Sequence, residues 1–154
     1  MGVCLTATMA DTPWLGDTCS LVEAFRTKQR SPTEELEATL AAIEGSDLNA
    51  FSFVDAERAT AAAATADVQL PFGGVPFGVK ELTSVEGWPN TNASLVFAGR
   101  RGTYTSTMIS RVLEAGAVPV GQTTASEFGG LNVSTTKLNG TTGNAWRTSQ
   151  TAGG

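Results

Sequence analysis

Apolar and polar positions follow no period at the start of the chain, and residues 1–18 read as an irregular lead-in. Leu21, Val22 and Phe25 then fall at helical spacing and give way to polar Thr27 to Arg30, which predicts a helix over 19–30. Ser31-Pro32-Thr33-Glu34 is a capping box with proline at the first helical position. It opens a second helix that runs to about Ile43 and is stopped by Gly45. Ala50 to Val54 is a short aromatic, strand-like run, and Asp55 caps an alanine-rich helix over 56–67.

The period then changes from 3.6 to 2. Val75, Phe77 and Val79 alternate with Pro76, Gly78 and Lys80, as in a strand with one packed face. Met108, Ile109, Val112 and Leu113 mark a helix from Thr105 to Ala115 that ends at Gly116, and 117–121 follows as a strand. Strand, crossover helix and strand predict a parallel pair in an α/β sheet. Such a small sheet has unpaired edges, which natural proteins rarely expose, so further residues or another chain are expected to complete it. The pattern changes once more at the end: 20 of residues 123–154 are Gly, Ser, Thr or Asn, which on composition alone is a flexible linker.

Composition narrows the class of protein. With 154 residues, 41% of them hydrophobic and 16% charged, a core can form, and a domain of this size buries roughly 70% of its unfolded surface. Ten basic against fifteen acidic residues give a net charge of −5 without any basic cluster, which disfavours nucleic acid as a partner. The adjacent Arg100 and Arg101 could hold a phosphate or carboxylate, but two charges more often mark a solvated turn. Cys4 and Cys19 lack metal-type spacing, and reduced thiols in a cytoplasmic protein are expected. No apolar run approaches the roughly 18 residues of a membrane span, and no secretory leader is evident. Met1-Gly2 with Thr6 fits the myristoylation pattern, and Cys4 is a palmitoylation candidate, although so short a pattern often arises by chance.

The chain contains no histidine, so Ser-His-Asp and Cys-His machinery cannot be assembled from it. Glu34, Glu35, Glu37 and Glu44 are expected on the exposed face of a capped helix, where solvation explains them. Of the three lysines, Lys28 belongs to a polar helix end and Lys137 to a polar loop. Lys80 instead ends the alternating strand, opposite the apolar face, with Gly78 on its own side leaving room for a backbone or ligand to approach. Partial desolvation there would disfavour the charged amine, and a base working near neutrality needs about 4 kcal/mol of such bias. The bland alternative is an edge-strand lysine, or one paired with Glu81 or Glu86. Gly73 to Lys80 is not a phosphate-binding loop, because Val79 and Glu81 occupy the places where such a loop needs Lys and Ser or Thr.

Gly74-Val-Pro-Phe-Gly-Val-Lys80-Glu-Leu resembles the catalytic-lysine strand of the amidase-signature family, G-V-P-x-G-V-K-D. Ser106 to Ala117 is similar to its L-x-x-A-G-A block, and Gly121-Gln-Thr-Thr-Ala-Ser-Glu-Phe128 to G-K-T-N-x-x-E-F. Gly140-Thr-Thr-Gly-Asn-Ala-Trp146 and Thr151-Ala-Gly-Gly154 resemble G-x-x-x-N-P-W and the opening of P-G-G-S-S-G-G-S. The blocks keep family order over residues 19–154. The sequence departs from the pattern where Glu81 stands for Asp, Gln122 for Lys, Thr124 for Asn and Ala145 for Pro.

The resemblance implies the N-terminal part of an α/β/α fold, a mixed sheet flanked by helices, incomplete in this chain. It implies amide hydrolysis through a Ser-Ser-Lys triad in which Lys80 is the general base, acting through a bridging serine in a cis peptide bond upon a nucleophilic serine. Both serines would follow Gly153-Gly154, and neither Ser134 nor Ser149 occupies a matching position. Thr124, Glu127, Phe128, Gly129 and Gly130 are the substrate-binding candidates. With no metal or organic cofactor implied, the partners are a small-molecule amide, the remainder of the amidase domain and, as an option, a second copy of the chain. The ordered blocks favour active-site loops over a linker for 123–154. Two alternatives stay open: the amidase subunit of a glutamine-dependent tRNA amidotransferase, or a non-catalytic interaction module.

Overall fold

A computed structural model describes residues 11–153. The lipidation pattern at Met1-Gly2 and Cys4 lies outside them. Four helices form: α1 (Thr18–Arg26), α2 (Pro32–Glu44), α3 (Ala56–Ala64) and α4 (Thr107–Glu114). The strands are β1 (Phe51–Val54), β2 (Pro76–Lys80), β3 (Val118–Thr123), and the short pair β4 (Thr135–Thr136) and β5 (Gly140–Thr141).

Capping explains several boundaries. Asp17 accepts the Ser20 N–H at 2.7 Å and starts α1, and the capping box at Ser31 and Glu34 starts α2. α1 stops four residues earlier than the 19–30 expectation. Lys28 turns to φ 61°, and the Gln29 N–H returns to Ala24 O at 2.9 Å, closing the helix end. α3 ends at Ala64, short of residue 67, where the Thr65 hydroxyl bonds back to Ala61 O at 3.1 Å.

β3 lies between β1, antiparallel to it, and β2, parallel to it, in the order β1-β3-β2. The sheet is therefore mixed, and the crossover through α4 produces the parallel pair. One face carries Val118 and Val120 against Leu36 of α2 and Ala59 and Ala63 of α3. On the other, Phe53, Phe77 and Val79 pack with Val85, Trp88, Ile109 and Leu113. Trp88 anchors this second layer, donating its indole N–H to Asp55 Oδ2 at 2.6 Å with the Arg58 guanidinium 5.6 Å above its ring. No helix among the described residues is long and apolar enough to cross a membrane.

One carboxylate departs from the expected helix surface. Glu34, Glu37 and Glu44 are exposed, but Glu35 is buried and pairs with Arg30 at 2.7 Å. It also accepts the Trp14 N–H at 3.1 and 3.2 Å, while Arg30 donates to Thr12 O at 2.8 Å. This buried pair pins the described part of the lead-in onto α2. A helical wheel alone does not show it, because the covering segment is not helical.

Candidate active site

Lys80 is the last residue of β2 and pairs with Thr123, the last residue of β3. The two strands are parallel, so both end on the same side of the sheet, the side where open α/β sheets place ligands. The chain leaves β3 directly into Thr124 to Gly130, the segment of the substrate-binding candidates. Glu81 N–H donates to Thr123 O at 3.0 Å and prolongs the pairing by one residue.

Alternation puts Lys80 opposite the Phe77 and Val79 face, but its side chain is exposed, in contrast to the expected partial desolvation. Residues 11–153 do not wrap it. The room expected beside Gly78 is already taken: an added Cβ would meet Thr123 Cγ2 at 2.7 Å and the Phe51 ring at 3.4 Å. Glycine is needed there for a neighbour in this same chain. Glu81 offers Lys80 no ion pair. Its buried carboxylate accepts the Ala125 N–H at 2.8 Å and the Asn139 side-chain amide at 2.9 Å on each oxygen.

The substrate-binding candidates gather in one loop held from several directions. Thr124 N–H donates to Ala50 O at 2.9 Å, and its hydroxyl meets that of Thr142 at 2.6 Å. Glu127 is exposed and accepts the hydroxyl of the fully buried Ser94 at 2.5 Å. Phe128 N–H donates to Asn92 O at 2.9 Å, and the Phe128 ring stands edge-on to Phe97 at 5.9 Å. A Cβ at Gly129, which has φ +69°, would meet Leu82 Cδ1 at 2.9 Å, so this loop closes onto the residues that follow Lys80. Gly130 ends the turn with its N–H on Glu127 O at 3.1 Å.

Strain concentrates here. Asn92, Ala93 and Phe128 adopt φ of 50°, 59° and 55°, and the first and last are joined by a hydrogen bond. Each non-glycine residue in this region costs of order 1 kcal/mol, and such costs cluster at functional sites. Periodicity did not find Asn92, Ala93, Ser94 or Asn139, because all four lie in segments without a repeating pattern. The polar cluster Thr91-Asn92-Ala93-Ser94 was the available signal for a constrained turn.

The polar C-terminal stretch is packed, not a linker. Ser134 and Thr142 are buried, β4 pairs with β5, and Thr151 bridges to Gly143. Trp146 stands apart at 95% exposure. A concavity of about 510 Å³ is lined by Trp14, Leu15, Arg30 and Glu34, and Lys80 does not line it.

The family model described as Amidase matches residues 34–154. The chain belongs to the amidase family. It is 37% identical over 116 residues to a glutamyl-tRNA(Gln) amidotransferase subunit from Acidobacterium capsulatum, covering 70% of this chain and 24% of that protein. Among solved structures it is similar to 6-aminohexanoate cyclic dimer hydrolase, with a TM-score of 0.84 and 27% identity over 90% of this chain and 29% of the other. A bacterial aryl acylamidase of the amidase-signature enzymes superposes equally well, with a TM-score of 0.84 and 26% identity over 90% of this chain and 31% of that one. The chain thus spans about a quarter to a third of the length of these amidase-family relatives.

Proposed function

We propose that this chain supplies the general base of an amide-cleaving site, and that Lys80 is that base. The observation that carries the reading is the placement of Lys80 at the shared C-terminal end of two parallel strands, beside the strained loop of Glu127 and Phe128. In the reaction a serine hydroxyl attacks the amide carbonyl, and its proton passes through a bridging serine to the uncharged Lys80 amine. The amine product leaves with that proton, and water then splits the acyl-serine ester to release the acid. Both serines follow Gly154 in this reading. Sequence outside residues 11–153 must also cover the exposed Lys80, since a solvated ammonium cannot accept a proton.

Glu127, Phe128 and the backbone of Thr124, Gly129 and Gly130 line the substrate side. The exposed Phe128 ring offers an apolar edge to the acyl or amine group, and no metal or organic cofactor enters the scheme. The test uses the intact gene product, its mass measured first, on a panel of amides from small aliphatic to aryl. Turnover that falls at least a hundredfold in Lys80→Ala is the expected result. Full turnover in that variant would remove Lys80 from the mechanism.

A second reading has a specific observation in its favour, the 37% identity to a subunit of a glutamyl-tRNA(Gln) amidotransferase. There the same amide-cleaving chemistry frees ammonia from glutamine within a larger complex. Glutaminase activity that requires charged tRNA and partner proteins supports it, and autonomous hydrolysis of simple amides supports the first.

A further inference from the structure

Three backbone amides of the polar stretch close a ring. Ser134 N–H donates to Ala152 O at 3.1 Å, Ala152 N–H to Thr142 O at 2.8 Å, and Thr142 N–H to Ser134 O at 2.8 Å. The ring joins the residue before β4, the residue after β5 and the segment that reaches Gly153. Ser134 adds two contacts of its own. Its N–H also reaches Thr151 Oγ1 at 3.2 Å, and its hydroxyl donates to Gly153 O at 3.1 Å. The Ser134 side chain is buried, at 4% exposure, so water does not replace that acceptor.

A Cβ added at Gly153 would find no atom within 4 Å, so its side-chain position is open, and the Ser134 hydroxyl is the hydrogen-bond donor to its carbonyl among the described residues. The same ring is tied to the sheet. The Thr142 hydroxyl donates to Asn49 O at 2.9 Å and accepts from Thr124, which directly follows the Thr123 partner of Lys80. A continuous path of hydrogen bonds therefore fixes the Gly153 carbonyl relative to the end of β2.

We propose that Ser134 is a positioning residue for the amide-cleaving reaction: its hydroxyl orients the Gly153 peptide and hence the bridging serine that follows Gly154. This inference rests on the functional reading above. Removing the hydroxyl leaves the ring in place and frees only the carbonyl that leads into the serine, so geometry suffers more than binding. A displacement of about an ångström at a reacting group lowers turnover by about tenfold to a hundredfold.

The experiment compares the intact gene product with its Ser134→Ala, Ser134→Thr and Lys80→Ala variants on the amide that the unsubstituted protein turns over fastest. Expected is a kcat for Ser134→Ala reduced by about tenfold to a hundredfold with KM within about twofold, and recovery to within about threefold in Ser134→Thr, which keeps the hydroxyl. Unchanged kcat in Ser134→Ala, or a loss no greater than the drop in folded fraction read by circular dichroism, overturns the proposal. Should Ser134→Ala not fold, Ser134→Thr against the weak donor Ser134→Cys decides. Activity kept by Thr and lost by Cys supports the role, and equal activity overturns it. The two layers separate cleanly. Full turnover in Lys80→Ala, or none in the unsubstituted protein, removes the functional reading and this inference together, whereas loss at Lys80 with normal kcat in Ser134→Ala removes this inference alone.

Discussion

The carboxylate of Glu81 takes the side-chain amide of Asn139 on both oxygens, each at 2.9 Å, across a separation of 58 residues. Glu81 Oε1 also accepts the Ala125 N–H at 2.8 Å. The residue directly after Lys80 thus carries a buried carboxyl group held by hydrogen-bond donors. It joins the end of β2 to the loop after β3 and to the turn between β4 and β5.

Removing this acceptor leaves the buried Ala125 N–H and the half-buried Asn139 amide without a partner. Glu81→Ala is expected to lower stability by about 2–4 kcal/mol, as judged from urea unfolding. Asn139→Ala removes one donor and leaves the Ala125 bond intact, so a smaller loss, about 1–2 kcal/mol, is expected. Equal losses from the two changes would show that Asn139 alone carries the clamp.

A Cβ added at Gly78 would lie 2.7 Å from the Thr123 methyl and 3.4 Å from the Phe51 ring. Gly78→Ala overpacks this site and is expected to cost about 1–3 kcal/mol. Trimming the neighbour with Thr123→Ser should recover at least half of that loss in the double variant. A thermal-melt cycle of the four proteins measures the coupling.

Lys80 separates stability from chemistry. It is exposed and unpaired among the described residues, so its contacts within residues 11–153 should account for no more than about 0.5 kcal/mol of any change in unfolding free energy in Lys80→Ala. The same change removes the proposed base. A large stability loss would mean that the side chain supports the fold, and loss of turnover in that variant would then say nothing about catalysis.

The N-terminus of α2 carries a pH dependence with a defined sign. The Ser31 hydroxyl and N–H hold the Glu34 carboxylate, and its pKa lies below the ordinary glutamate value of 4.5. Because the folded value is the lower one, the cap stabilises at pH above 4.5 and its contribution disappears as pH falls through the folded value. Protection factors in the first turn of α2, with exchange corrected for its intrinsic pH dependence, should therefore fall on acidification from pH 6 to 3. Ser31→Ala should exchange faster already at pH 6 and respond less to acid.

Several features were legible from residues alone because they depend on neighbours along the chain. The capping box at Ser31 and Glu34, the alternation from Val75 to Lys80 and the helix before Gly116 each follow from a local rule. The crossover between β2 and β3 also follows, since handedness and connection length leave few ways to join two strands by a helix. Motif order marked Lys80 and the loop from Thr124 to Gly130 as candidates. It could not show that this loop meets Leu82 through Gly129.

What only the tertiary structure decided concerns contacts between residues far apart in sequence. Glu35 lies on a helix that reads as solvated, yet the non-helical Trp14 segment covers it. Gly78 looked like an opening for a ligand until β1 and β3 brought Phe51 and Thr123 against it. The stretch from 123 to 154 has the composition of a linker, and there hydrogen bonds from Ser134, Thr142 and Asn139 take the place of an apolar core. Periodicity records which face of an element is apolar. It carries no record of which polar side chains meet when the elements come together, and in this chain those meetings determine what surrounds Lys80.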